Sequence, residues 1–225
     1  MYLALIADVI DSKMVQERFD LQKQLEKTLQ TMNELFGEFL ASSFTLTLGD
    51  EFQALLKVDA PVFQMIDTLR SLLTPTQLRF GIGLGEILTD IDPLQSIGAD
   101  GPAYWNARAA INLVHQKNDY GNTQIYFSCG KEKQDFFVNA LIASGEAIRS
   151  GWRGSQEEIL LDLLKRCVYS ENFSQQDLAQ SLAINPSALS KRLKSSSIRV
   201  YLRGRAAALA SIQSLAKGEA YDRII

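Results

Sequence analysis

The chain opens on an apolar run, Tyr2 to Ala7, that stops at Asp8. A run of that length predicts a buried strand. From about Val15 to Leu40 the positions Phe19, Leu21, Leu25, Leu29, Met32, Leu35, Phe36 and Phe39 recur on a helical stripe, which predicts a long amphipathic helix. Phe44, Leu46 and Leu48 then alternate with Ser43, Thr45 and Thr47, the period of a half-buried strand. Gly49-Asp50 follows, and then Phe52-Gln53-Ala54-Leu55-Leu56. A two-residue loop with glycine first suits a type II′ hairpin. A second helix is predicted from about Pro61 to Leu73. The strand Leu78–Ile87 sets Leu78, Phe80, Ile82 and Leu84 on one face, with Arg79, Gly81, Gly83 and Gly85 on the other. Three glycines in one row leave room for a close backbone or for a ligand. They lie within a strand, so they do not form a dinucleotide fingerprint. Asp100-Gly101-Pro102 opens a helix to about Lys117, Gln124–Ser128 reads as a short strand, and Glu132–Ile148 as another helix.

A hairpin inside this strand–helix alternation predicts an α+β fold with a mixed sheet. Ser150-Gly151-Trp152-Arg153-Gly154 reads as a linker, dividing the chain into 1–150 and 151–225. Beyond it the pattern is all helical. Ser155-Gln156-Glu157-Glu158 has the spacing of a capping box and leads into Ile159, Leu160, Leu163 and Leu164. Ser174 stands at N-cap spacing before Leu178, Ala179 and Leu182. Asn185 is placed to cap, and Pro186 fits the first helical position of the next helix. Ile198–Leu215 reads as a last helix, which would either pair two chains or pack on its own domain.

Composition narrows the function classes. The run Tyr2–Ala7 is too short to span a bilayer, which needs about 20 apolar residues, and it lacks the flanks of a signal peptide. The reading is therefore a cytoplasmic protein with no membrane segment. Cys129 and Cys167 carry no motif and are expected as buried thiols in a reducing compartment. His115 is the single histidine, so a zinc site of the usual ligands is not expected. Residues 1–150 carry 12 Lys/Arg against 19 Asp/Glu, whereas residues 151–225 carry 11 against 7. A basic tail on an acidic body suggests that the tail meets a polyanion.

In that tail, Leu178, Ala179, Leu182, Ile184, Leu189 and Leu193 form the expected core. Ser187, Ser190, Lys191 and Lys194 would point outward, with Arg199 loading the start of the last helix. Two short helices with a polar, basic second member suit a DNA major groove. The segment from Gln176 to Leu193 resembles the helix-turn-helix of many bacterial regulators. That resemblance implies DNA contacts by Ser187, Ser190, Lys191, Lys194 and Arg199, and a homodimer.

In the body, Asp8 and Asp50 would meet at one sheet end if the first strand lies beside the hairpin, with Asp11, Glu51 and Glu86 as neighbours. Clustered carboxylates repel unless a cation lies between them, and an oxygen-only donor set favours Mg2+ or Mn2+. The segments Ala7-Asp8-Val9-Ile10 and Leu48-Gly49-Asp50-Glu51-Phe52 resemble the metal-binding segments of class III nucleotide cyclases and of GGDEF diguanylate cyclases. Arg79–Gly85 is similar to the cyclase strand that follows, and Gly98–Ala109 to the cyclase helix with a phosphate-stabilising arginine. The resemblance implies a palm or ferredoxin-like domain binding a nucleoside triphosphate. Asp8, the Val9 carbonyl and Asp50 would hold two metals, and Arg108 would stabilise transition-state charge. Asp11, Gly49, Glu51, Gly83 and Glu86 would line the nucleotide site.

The chain also departs from the cyclase pattern. Tyr104 stands where cyclases place an asparagine four residues before the arginine, Asn106 is out of helical phase, and Leu48 replaces the second GGDEF glycine. Tyr104 and Trp105 are read as packing residues. Nearly the whole chain resembles the SatD family of bacterial proteins, through IADVIDSK, LGDEFQALL, RFGIGLGE, IGADGPAYWNAR and the terminal helices. These resemblances together imply a DNA-binding transcriptional regulator whose α/β domain senses a nucleotide with a divalent metal. The alternative is an active nucleotide cyclase or nucleotidyltransferase using two metals. In a third reading the N-terminal domain only mediates assembly.

Overall fold

The computed structural model describes residues 1–12, 17–116 and 118–218. Five strands form one sheet: β1 (Tyr2–Val9), β2 (Leu40–Leu48), β3 (Glu51–Leu56), β4 (Leu78–Gly85) and β5 (Ile125–Ser128). Eight helices appear among the described residues: α1 (Arg18–Phe36), α2 (Val62–Leu72), α3 (Pro102–His115), α4 (Glu132–Ser150), α5 (Gly154–Lys165), α6 (Gln175–Ser181), α7 (Pro186–Ser196) and α8 (Ile198–Ala216). The strand order is β2-β3-β1-β4-β5. β1 is antiparallel to both neighbours, and β4 pairs with β5 in parallel. The sheet is therefore mixed, as the hairpin within the alternation predicts. The first six elements interleave two split βαβ units, and α3 with β5 extends them at one edge.

Parity along the strands separates two faces. Leu3, Leu5, Ala7 and Val9 share a core with Phe52, Ala54 and Leu56 of β3 and Leu78, Phe80, Ile82 and Leu84 of β4. α1, α2, α4 and α8 cover this face. Ala4, Ile6 and Leu55 face the other way, against Ala103, Tyr104, Ala107 and Ile111 of α3. The glycine row lets α3 lie directly on β4. A Cβ at Gly83 would overlap the Ala103 carbonyl oxygen and the Ala107 amide nitrogen, and Gly81 meets Ala107 and Ile111 in the same way. Of the two readings left open for this row, a close backbone fills the space. Asn106 holds the helix in place by donating to the Leu84 carbonyl at 2.8 Å.

Several boundaries differ from the sequence reading. α1 starts at Arg18, and Val15 lies outside the described residues. Its buried stripe is Leu21, Leu25, Thr28, Leu29, Met32 and Phe36. Phe19 lies on the far side and is exposed, with the Lys23 ammonium 4.3 Å above its ring. The N-cap position of this helix is Glu17. In the hairpin, Gly49 takes φ 61°, as a first turn residue of type II′ requires. α5 begins two residues earlier than the Ser155 box suggests. Gln156 reaches back to the Arg153 N–H at 3.1 Å, so the box starts at Arg153. Ser174 and Asn185 cap α6 and α7 through the amides of Asp177 (3.2 Å) and Ala188 (2.8 Å).

Trp152 ties down the 151–153 connection: it donates to the Ser196 carbonyl at 2.7 Å and packs tilted against Tyr201, with ring centroids 5.0 Å apart. The last helix packs on its own chain: Ala208 and Ile212 of α8 enter the sheet core. A buried ionic network fastens it there. Arg205, 1% exposed, donates to Glu146 of α4 at 2.5 Å, and Arg70 of α2 grips the same carboxylate at 2.7 and 2.9 Å. Asp67 of α2 accepts from Arg149 (2.5 Å), Tyr169 (2.6 Å) and Tyr201 (2.7 Å). Gly145 leaves space for the Arg205 guanidinium against α4. Among the described residues, no helix is long and apolar enough to cross a membrane.

Candidate functional site

The hairpin brings the two predicted aspartate segments together. Asp8 lies opposite Glu51 on β3 and opposite Arg79 on β4, and the Val9 N–H donates to the Asp50 carbonyl at 3.2 Å. Strand parity directs Asp8, Glu51 and Arg79 to the α3 face. There α3 adds two groups one helical heptad apart, Arg108 and His115.

These groups pair with one another. One Asp8 oxygen accepts from Arg79 at 3.2 Å and the other from His115 Nε2 at 2.5 Å. Asp8 is 8% exposed. Burial pushes its carboxyl above the usual range, although His115 and Arg79 pull against that shift. Glu51 receives both Arg108 amines, at 2.5 and 2.8 Å, and also accepts from the Thr47 hydroxyl at 3.2 Å. The Arg108 hydrogen bonds hold Glu51 below the usual carboxylate range. Among the described residues the Asp50 carboxylate has no hydrogen-bond or ion-pair partner.

Beside this cluster lies an open cleft of about 450 Å³ lined by Ile6, Gln53, Ala99, Tyr104, Trp105 and Arg108. The loop between β4 and α3 forms one wall. Ser96 fixes that loop to β3: its hydroxyl donates to the Gln53 carbonyl at 2.9 Å, and its own carbonyl accepts from the Gln53 amide at 2.5 Å. Tyr104 is buried, as the sequence suggests, and burial pushes its phenol up to about 12. Trp105 corrects the packing assignment. It is 53% exposed, lines the cleft and donates to Asp100 at 2.7 Å.

The sequence model of the SatD family matches residues 2–212. The chain belongs to the SatD family. No curated protein matches it. A solved structure titled "Structure of a bacterial light-regulated adenylyl cyclase" is similar at 12% identity and a TM-score of 0.39, over 56% of this chain and 74% of that one. A likeness that weak carries no functional argument.

In this SatD chain the other predicted site residues separate from Asp8. Glu86 is exposed and follows Gly85, which pairs with Tyr2, so it stands at the opposite end of the sheet, about 20 Å along β1 from Asp8. Gly83 is covered by α3 and opens onto no ligand space. Asp11 is exposed in the turn after β1 with φ 54°, and Gly49 is exposed in the hairpin. Among the described residues, no three or more His, Cys, Asp or Glu groups converge as a metal-binding set. The donors present therefore do not fit a preformed two-metal centre, because Arg79 and His115 already hold Asp8. Magnesium carried in with phosphate oxygens commonly keeps only one or two protein carboxylates, and Asp50 is the carboxylate that would meet it here.

In the SatD tail, α6 and α7 are joined by a short turn in which Ala183 takes φ 51°. Leu178, Ala179 and Leu189 are buried with Ile159, Leu160, Leu163 and Tyr201, while Leu182, Ile184 and Leu193 pack against them partly buried. Ser187, Ser190, Lys191 and Lys194 are exposed on α7. Arg199 is half buried and stacks over Phe173 at 4.7 Å. The cysteines differ from expectation: Cys129 is half buried and Cys167 exposed, and both are free thiols.

Sequence reasoning missed His115 and Arg79 as partners of Asp8. The signal for His115 was its spacing, since seven residues from Arg108 returns to the same helical face.

Proposed function

We propose that this SatD-family protein is a nucleotide-binding regulator whose C-terminal helices contact DNA. The observation that carries the nucleotide half is the meeting, at one sheet end, of Asp8, Asp50, Glu51 and Arg108 beside a cleft with an exposed tryptophan. An arginine offers phosphate a two-pronged, charge-assisted contact. An aromatic face offers a base a stacking surface. The cation, Mg2+ or Mn2+, would enter with the phosphates at Asp50. Support for binding over turnover comes from Asp8, whose two oxygens are engaged by Arg79 and His115.

The DNA half is supported by α7, which keeps Leu189 inward and exposes Ser187, Ser190, Lys191 and Lys194 along one helix. Serines near the helix start suit base edges or phosphates, and the lysines suit phosphates. Arg199, stacked on Phe173, would add positive charge at the border of that surface.

Isothermal titration with ATP, GTP, CTP and UTP, with and without Mg2+ or Mn2+, tests the first half. Saturable binding without pyrophosphate release is expected. Pyrophosphate release that is lost in Asp50→Asn would support the catalytic alternative, and absence of binding by all four would remove the nucleotide reading. For the tail, Lys191→Ala and Lys194→Ala should weaken duplex DNA binding and each reduce its salt slope by about one.

A further inference from the structure

The Glu51–Arg108 pair stands at the rim of the cleft, and its geometry shows what Arg108 can hold. Both terminal nitrogens of the guanidinium are directed at one carboxylate, the planar fork that also matches two phosphate oxygens. The Arg108 side chain is nearly half exposed and lines the cleft, whereas Glu51, at the start of β3 between β2 and β1, is more enclosed and has a second contact from Thr47. An ion pair this open to water is weak and exchanges readily. Apart from Glu51, the carboxylate that acts on Arg108 is Asp8, which is already paired with Arg79 and His115. Glu51 is thus the group that competes for Arg108.

Building on the nucleotide reading above, we infer that Glu51 is an internal competitor for the ligand. A nucleoside di- or triphosphate takes Arg108 from Glu51, and the exchange sets the affinity of the cleft. A polyphosphate carries more charge than one carboxylate and accepts the same two N–H groups, so it displaces Glu51 once bound. Glu51, released, keeps its Thr47 hydrogen bond and does not become an unpaired buried charge.

A double-mutant cycle by isothermal titration with ATP and GTP tests the exchange. Glu51→Gln, which keeps the side-chain volume, should tighten binding about fivefold, the range of an exposed ion pair. Arg108→Met should weaken it about tenfold or more, the loss expected of charge-assisted hydrogen bonds. In the Arg108→Met background the gain from Glu51→Gln should vanish. Arg108→Lys, which keeps the charge but not the fork, should fall between, and matched thermal melts establish that each variant is folded. Wild-type binding with no gain in Glu51→Gln would overturn the exchange while leaving the nucleotide reading intact. A gain that persists without Arg108 would also overturn it, because Glu51 would then act by simple repulsion. Absence of binding in wild type and every variant would instead sink the nucleotide reading itself.

Discussion

Replacing Glu146 by glutamine should cost far more stability than replacing either arginine that depends on it. Glu146 is 5% exposed and accepts from Arg70 twice, from Arg205 and from the Gln124 amide. Burial alone would raise its carboxyl, but Arg70 and Arg205 outweigh burial and hold it far below the usual range. In Glu146→Gln, Arg205 keeps its stacking on Phe63 (5.2 Å) and Tyr201 (4.8 Å) but loses its counter-charge. Leaving a buried charge unpaired costs about 3–5 kcal/mol, a large part of the ~5–15 kcal/mol that holds a domain. Arg205→Met is different. It leaves Glu146 with the two-pronged Arg70 and removes Arg205 Nη1, which is buried without a partner, so the net cost is about 1 kcal/mol or less.

The pH dependence has a definite sign. Glu146 is depressed in the folded state, so its contribution is present above its unfolded value of about 4.3 and is lost as pH falls through the folded value. The gap between wild type and Glu146→Gln should therefore be widest near pH 7 and narrow on acidification. Urea unfolding at constant m-value measures both effects. A Glu146→Gln loss under about 1 kcal/mol, or a larger loss in Arg205→Met, would refute this account of how α8 is held.

Gly83→Ala should destabilise the protein by ~3 kcal/mol, read as a lower urea midpoint, because the new methyl meets α3 backbone rather than a side chain able to turn aside. At pH 8 a thiol reagent should label Cys167 in the native protein and spare Cys129, whose thiol is pushed up to about 12 by burial and by Asp135. Labelling of both at equal rates would contradict that difference. Gly145→Ala should cost less than Gly83→Ala, since the added Cβ would meet the Arg205 guanidinium at 3.2 Å rather than α3 backbone at 2.1 Å; thermal melts compare the two.

Strand parity was the most legible part of the chain. It set the Leu78–Leu84 residues on one face and Arg79 with the glycines on the other, and both assignments hold in the sheet. The meeting of the Asp8 and Asp50 segments was readable only on the condition that the first strand lies beside the hairpin, and the β1–β3 pairing meets that condition. Glu51 was expected beside Asp8, and strand register adds Arg79; that His115 reaches Asp8 depends in addition on how far α3 slides along β4. That slide is set by backbone contact at Gly81 and Gly83; the glycine row signals a close approach but not its register. The slide brings His115 to Asp8, and strand register carries Glu86 away from it. Arg205 was hidden for another reason. It continues the Tyr201, Leu202, Ala208, Ile212 stripe, and a charged residue at a core position declares its role only when Glu146 on α4 is seen opposite. Cap positions in the tail were legible at Ser174 and Asn185, where short polar side chains precede apolar helices. At Ser155 the same rule was off by two residues, because Gln156 serves Arg153 instead.

Trp105 would report directly on the proposed binding of a nucleotide in the cleft beside α3. The chain has two tryptophans, Trp105 and Trp152, so a Trp152→Phe protein carries a single indole at the cleft wall. Titrating that protein with ATP or GTP should change Trp105 emission saturably, and Arg108→Met should shift the curve to higher ligand concentration. Flat emission together with unaltered protection of α3 amides from hydrogen exchange at saturating nucleotide would contradict the account.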